Sequence, residues 1–239
     1  MSGVLTRSDL EISAAAPRRE EPMPLALRGA SKAWDKGRVP VLDRVDLDLG
    51  AGAKVRIAGR NGVGKTTLMR IAAGLIDPDR GRVEVFGFSP IERPERYQRL
   101  VSFLPAGDRG LYARLTVRRQ LDFCARIAMV PRREVAARVE EAISIFDLGE
   151  LADRRVDRMS MGQRQRLRIA MTFLPWPEVV LLDEPLTSLD GEGAALLYGA
   201  IERLLGEGGA MLWCSPAGEH TDFEFDRTLM LDQGKLVPA

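Results

Sequence analysis

Odd-numbered positions 41–49 (Val41, Asp43, Val45, Leu47, Leu49) alternate against their neighbours, the two-residue period of a half-buried strand. Shorter strand-like runs are predicted at 24–28 and at 54–58, the second leading directly into a glycine-rich loop. From Lys65 the period changes. Leu68, Ile71, Ala72 and Leu75 fall at i, i+3, i+4 and i+7, which predicts a helix ended by Pro78 and Gly81, with a further strand at 82–86. Three more helices are predicted in the middle of the chain. Thr116 caps one carrying Leu121, Cys124, Ala125 and Ala128. Pro131 stands as the first residue of the next, with Val135, Val139, Ala142, Ile143 and Phe146 on one face. Ser160 caps the third, with Leu167, Ala170, Met171 and Leu174 inward. Residues 179–182 are continuously apolar, as in a strand buried on both faces. A helix with Leu197, Ile201 and Leu204, a strand at 210–214, and a hairpin turning at Asp232-Gln233-Gly234 complete the pattern. The predicted architecture is an antiparallel start, an α/β core, an inserted helical block and a return to the core, with no internal repeat.

Composition narrows the function classes. The chain has 239 residues, 45% hydrophobic and 29% charged, which excludes a wholly disordered or fibrous protein. A formal charge of +1 provides no electrostatic footprint for nucleic acid, so none is expected as a partner. Two cysteines, Cys124 and Cys214, exclude a disulfide framework and a cysteine-rich zinc site. The longest uncharged stretch, 208–218, is too short for a bilayer, which needs about 20 apolar residues. Residues 1–24 alternate small, charged and proline residues. They read as a disordered tail, or alternatively as a docking tail.

Gly59-Arg60-Asn61-Gly62-Val63-Gly64-Lys65-Thr66 fits the phosphate-loop pattern G-x-x-x-x-G-K-[ST] between a predicted strand and a predicted helix. The glycines let backbone N–H groups converge on phosphate oxygens, and the helix start adds its positive dipole end. Lys65 is placed to reach the β- and γ-phosphates, the Thr66 hydroxyl to ligate Mg²⁺, and Thr67 to add a phosphate contact. Downstream, the apolar run ends in Asp183-Glu184, expected on a strand beside the one feeding the loop. Asp183 would hold Mg²⁺ and Glu184 would orient and deprotonate a water. An acidic turn after a buried strand is the plain alternative.

These residues resemble the nucleotide-binding domain of ABC transporters over about 25–237. Met159-Ser160-Met161-Gly162-Gln163 resembles the LSGGQ signature, with methionine at two of its positions, and Arg164-Gln165-Arg166 follows it. Asp183-Glu184-Pro185 and Ser188-Leu189-Asp190 resemble the acidic strand end and the loop after it, and Trp34 stands where the family stacks an aromatic on adenine. The resemblance implies a P-loop NTPase (ABC ATPase) core at 25–239, with an N-terminal antiparallel β-subdomain and a helical subdomain at about 106–165. It implies ATP and Mg²⁺ as cofactors. It also implies a second ATP-binding subunit, identical or not, whose triphosphate Ser160, Gly162 and Gln163 close upon. An integral-membrane permease, of export type by the look of segment 106–121, would hold the chain in the cytoplasm, peripheral on the inner face of the cell membrane. The alternatives are a non-transport ABC ATPase and an ATP-clamped dimerisation module with little hydrolysis.

Two residues depart from the family pattern. Leu104-Pro105 is followed by Ala106 where the family has glutamine, with Asp108 as a substitute or a solvated loop acid. Ten residues before Asp226, where the family has histidine, stands Pro216, and the lone His220 reads as an exposed bystander. Turnover is therefore expected to be weak or partner-dependent. Trp34 has core packing as its plain alternative, and Ser160 a simple helix cap. Met159, Met161 and Met171 read as core filler. Phe103, Tyr112 and Phe123 surround the start of the helical block, either as ordinary packing or as a groove for a permease helix.

Overall fold

A computed structural model describes residues 23–239 except Lys36 and Arg38. The tail expected at 1–24 lies outside the described residues apart from its last two. Of these, Pro24 is buried, and the Met23 carbonyl accepts a 2.9 Å hydrogen bond from the Phe86 N–H.

Strands β1 (Leu25–Trp34), β2 (Val39–Leu49) and β4 (Arg80–Glu84) form an antiparallel sheet in the order β2-β1-β4. The second sheet has six strands. It comprises β3 (Lys54–Gly59), β5 (Val101–Leu104), β6 (Val179–Asp183), β7 (Ala210–Pro216), β8 (Arg227–Asp232) and β9 (Lys235–Pro238), in the order β5-β6-β7-β3-β8-β9. All its pairings are parallel except the closing hairpin of β8 and β9. The continuous apolar runs follow from burial on both faces. Val179, Leu181, Leu212 and Cys214 pack toward the three-stranded sheet and α1 (Lys65–Ala72). Val180, Leu182, Met211 and Trp213 pack toward the opposite core, which holds the remaining long helices.

The order corrects one expectation. β6 does not lie beside β3, because β7 runs between them and pairs with both. Single-strand periodicity identifies buried strands but carries no information about which neighbour each one takes.

Two helical expectations also shift. α1 stops at Ala72 because Gly74 takes a left-handed φ of 65°, so Leu75 leaves the inward stripe and is 61% exposed. A side chain at Gly74 would collide with Pro90 and Tyr97, and the Tyr97 hydroxyl donates to the Ala72 carbonyl at 2.7 Å. Tyr97 comes from α2 (Pro94–Leu100), a helix with too few apolar residues to show a periodic stripe. In the helical block, α3 (Val117–Ile127) starts at the predicted Thr116 cap. However, α4 (Val135–Ile145) starts four residues after Pro131, which instead opens a turn closed by the Glu134 N–H. α5 (Met161–Phe173) and α6 (Gly191–Gly206) complete the layer.

Candidate functional site

The loop 59–66 leaves the end of β3 and curls back over the first turn of α1. Gly64 caps that helix with φ 116°, and no side chain caps it, so the first-turn N–H groups stay available to an anion. A Cβ at Gly64 would stand 2.6 Å from the Val41 side chain, so the close approach of β2 and the positive φ both require glycine. Lys65 is 5% exposed, and its Nζ donates to the carbonyls of Gly59 at 2.7 Å and Arg60 at 3.1 Å. The loop thus closes around its own ammonium, with the carbonyls turned inward.

The second half of the site arrives on β6. The Thr66 hydroxyl donates to Asp183 Oδ2 at 2.9 Å, tying the start of α1 to a strand two places away in the sheet. Asp183 is 1% exposed. Burial raises its carboxyl pKa above the usual range; the Thr66 bond opposes the rise, and the neighbouring Glu184 charge adds to it. A hydroxyl and a buried carboxylate at this spacing suit Mg²⁺, which takes one or two hard protein oxygens and completes its shell with phosphate and water. Glu184 follows with a left-handed φ of 52°, held by its N–H donating to the Cys214 carbonyl at 2.9 Å.

The sign of the Asp183 shift leads to a stability prediction. A carboxyl whose pKa is raised by folding stabilises the native state below its unfolded pKa, and that contribution is lost as pH rises through the folded value. Near neutral pH the ionised, buried carboxylate therefore destabilises the nucleotide-free chain. Asp183→Asn keeps an acceptor for Thr66 without the charge, and is expected to raise Tm at pH 7–8 and to flatten its pH dependence. Melting curves from pH 5 to 8 without nucleotide check this, and an unchanged or lower Tm at pH 8 contradicts it.

Trp34, Asn61, Gly62, Gly64, Lys65, Thr66, Thr67 and Glu184 line one cleft of about 390 Å³ together with Val39 and Val41. Gly59, Arg60 and Val63 belong to the loop but not to the cleft lining. Trp34 is 42% exposed, so it is not core, and the Lys32 ammonium lies 5.2 Å from its ring centroid. Ser160, Gly162 and Gln163 are not brought into this cleft. They open α5, where Ser160 Oγ accepts from the Gln163 N–H at 3.2 Å and Gln163 Oε1 accepts from the Ser160 N–H at 3.1 Å. That reciprocal cap is the helix-start role anticipated for Ser160. Gly162 packs against the Ser188 carbonyl in the loop after Glu184. Of the methionines read as core filler, Met159 is buried and Met171 half-buried. Met161 is the exception: it is 63% exposed on the outer face of the first turn.

Pro216 ends β7 directly opposite Gly59, and the next N–H, of Ala217, donates to the Gly59 carbonyl at 3.1 Å. His220 is exposed. Three residues near the site carry no sequence motif. Arg56 donates to the Glu219 carbonyl at 2.7 Å and to Ser215 Oγ at 2.8 Å, fastening the turn after Pro216. The Glu219 carboxyl is pushed up by burial, with the Arg56 charge opposing. Arg168 is buried, and its Nη2 donates to the Pro105 carbonyl.

Comparison with known proteins places the chain. The sequence model described as ABC transporter matches residues 42–187. The ABC transporter ATP-binding protein NatA of Bacillus subtilis (strain 168) is 32% identical, covering 81% of this chain and 78% of the relative. The daunorubicin resistance ATP-binding protein DrrA3 of Streptomyces coeruleorubidus is also 32% identical, over 89% of this chain and 66% of the relative. An import protein falls in the same range. The sn-glycerol-3-phosphate import ATP-binding protein UgpC of Bordetella avium (strain 197N) is 35% identical over 70% of this chain and 46% of its own length. Among solved structures, an ATP-binding subunit of an ABC transporter superposes with a TM-score of 0.80 at 24% identity, covering 89% of this chain and 87% of that one, which establishes the fold. With the family model matching 42–187 and NatA aligned over 81% of the chain, the chain belongs to the ABC transporter family as one of its ATP-binding, ATP-hydrolysing members.

Proposed function

We propose that the chain binds MgATP in the cleft between Trp34 and the loop 59–67 and uses it to drive a membrane permease, in the export direction. Lys65 and the loop N–H groups grip the phosphates, Thr66 and Asp183 hold Mg²⁺, Glu184 activates water, and Trp34 stacks on adenine. Ser160, Gly162 and Gln163, exposed or half-exposed away from the cleft, close on the triphosphate of a second ATP-binding subunit. The observation that carries the reading is the Thr66–Asp183 hydrogen bond beside the buried Lys65, which sets a metal-binding pair against a phosphate cradle.

The permease contact is assigned to the helical block at about 106–165. There, Tyr112 and Phe123 are both exposed and meet edge to face at 5.1 Å, next in sequence to a groove that Phe103, Gly110 and Cys124 help to line. Among the described residues no helix is long and apolar enough to cross a membrane, so attachment at the inner face runs through that partner. Export is favoured by the drug-resistance relative, which aligns over 89% of the chain. Recovery of the chain with its permease, followed by substrate uptake into inside-out and right-side-out vesicles, decides the direction.

Turnover is weak in this reading, because Ala106 cannot hold the attacking water and Pro216 offers no donor to the γ-phosphate. A dimerisation clamp with little hydrolysis is the second reading favoured by the same two residues. Removing one preorganised donor costs about 10²–10³ in rate. Pro216→His is accordingly expected to raise phosphate release by at least tenfold; a parent rate that is already fast and unchanged by the substitution overturns weak turnover.

A further inference from the structure

Arg168 is the buried cation that the proposed mechanism does not use. It lies in mid-α5 and is 3% exposed, and among the described residues it makes no ion pair, although the Asp108 charge is near. Its guanidinium is satisfied by neutral acceptors instead. Nε donates to the Arg109 carbonyl at 3.2 Å, Nη1 to Gln165 Oε1 at 2.6 Å, and Nη2 to the Pro105 carbonyl. Burial lowers its pKa and the nearby Asp108 charge opposes this, but an arginine remains charged. A buried charge held by carbonyl and amide oxygens, with Asp108 near but not ion-paired, costs more than an apolar side chain of equal volume, so packing alone does not account for it.

The partners share a geometry. Pro105 and Arg109 bound the loop that leaves β5, so one planar side chain closes both ends of that loop. Gln165, the third partner, passes the connection on, because its Nε2 donates to the Pro185 carbonyl at 2.8 Å, one residue beyond Glu184. The two ends are already neighbours in the sheet, since Leu104 of β5 pairs with Leu182 of β6. Arg168 also forms part of the wall between two hollows. One, of about 270 Å³, is the groove with Phe103 given above to the permease; the other, of about 190 Å³, has Met161 and Ser188 on the signature side.

We infer that Arg168 is a positioning residue. It holds the loop 105–109 in register with the Pro185 carbonyl, one residue beyond Glu184, and so steadies the backbone that aims Glu184. The inference rests on the assignment of Glu184 made above.

The test uses the full chain with Arg168→Met and Arg168→Lys. ATP turnover yields kcat, titration with a fluorescent ATP analogue yields Kd, and hydrogen–deuterium exchange follows segments 105–110 and 185–190. Arg168→Met is expected to lower kcat at least tenfold with Kd within twofold, and to speed exchange in both segments. Arg168→Lys, which keeps charge and a donor but not the fork, recovers part of the loss. In a Glu184→Gln background, Arg168→Met is expected to cost less than a further twofold. The inference is overturned by unchanged kcat, by an equal loss in that background, or by faster exchange confined to 105–110. Should Arg168→Met not fold, unchanged kcat and exchange in Arg168→Lys overturn it equally. Glu184→Gln alone separates the two readings: if it turns over like the parent, the Glu184 assignment fails, and if it slows while Arg168→Met does not, only Arg168 loses its role.

Discussion

Replacing Glu184 with glutamine is expected to slow phosphate release by about 10²–10⁴-fold, the usual contribution of a positioned general base. The substitution preserves size and hydrogen-bonding capacity, and the backbone that aims the side chain is held by the Glu184 N–H to Cys214 bond, which does not involve the carboxylate. Nucleotide affinity should therefore stay near that of the parent. With hydrolysis blocked, the closed pair has no route to reopen, and ATP should drive the chain from monomer to dimer on size exclusion. A loss of turnover smaller than threefold removes Glu184 from the chemistry. Both measurements are needed, because slow turnover with no dimer points to a chain that closes only with a different subunit.

The second large effect belongs to Lys65. Lys65→Met removes a charge-assisted contact to the phosphates, which contributes about 1.5–3 kcal/mol. That corresponds to roughly a 10- to 150-fold rise in Kd for ATP. The same change leaves the inward carbonyls of Gly59 and Arg60 without the ammonium they accept from. Gly59 keeps the Ala217 N–H and Arg60 the Val63 N–H, so neither carbonyl is orphaned, but loss of a hydrogen bond to a charged group costs about 1.5–3 kcal/mol, and Tm of the nucleotide-free chain should fall by roughly 3–12 °C. The pairing of the two effects is diagnostic. A surface lysine that merely attracts phosphate would weaken binding without lowering Tm. Isothermal titration with ATP and melting without it report on the two halves separately; unchanged Kd sinks the phosphate role whatever happens to stability.

The strands and the phosphate loop were legible because their signals are local. Alternation at 41–49, the apolar run at 179–182 and the glycine spacing at 59–64 each follow from what neighbouring residues must do to one another. What was hidden depended on contacts between distant segments. That β7 separates β3 from β6 is a matter of sheet order, which no strand records in its own sequence. α2 was missed because its one buried residue, Tyr97, is anchored by a hydroxyl to Ala72 and not by a stripe. Leu75 fitted the helical period, but Gly74 had already turned the chain. Met161 shows the reverse limit. Its residue type suggests a core, and its position in the first turn of α5, beside the capping pair, puts it on the surface. Arg56, Glu219 and Arg168 share a further reason: a charged side chain outside any motif looks the same in sequence whether it is solvated or buried.

The placement of β7 bears on how a spent nucleotide is released. The strand carrying Gly59 and the strand carrying Asp183 share no hydrogen bonds with each other, and both are laced to β7, which ends at Pro216. A tug on the turn at 217–226 is therefore transmitted to both grips at once, much as a shim tapped between two jaws loosens the vice without bending either jaw. The turn that follows Pro216 is thus a common handle on the phosphate loop and the acidic strand end.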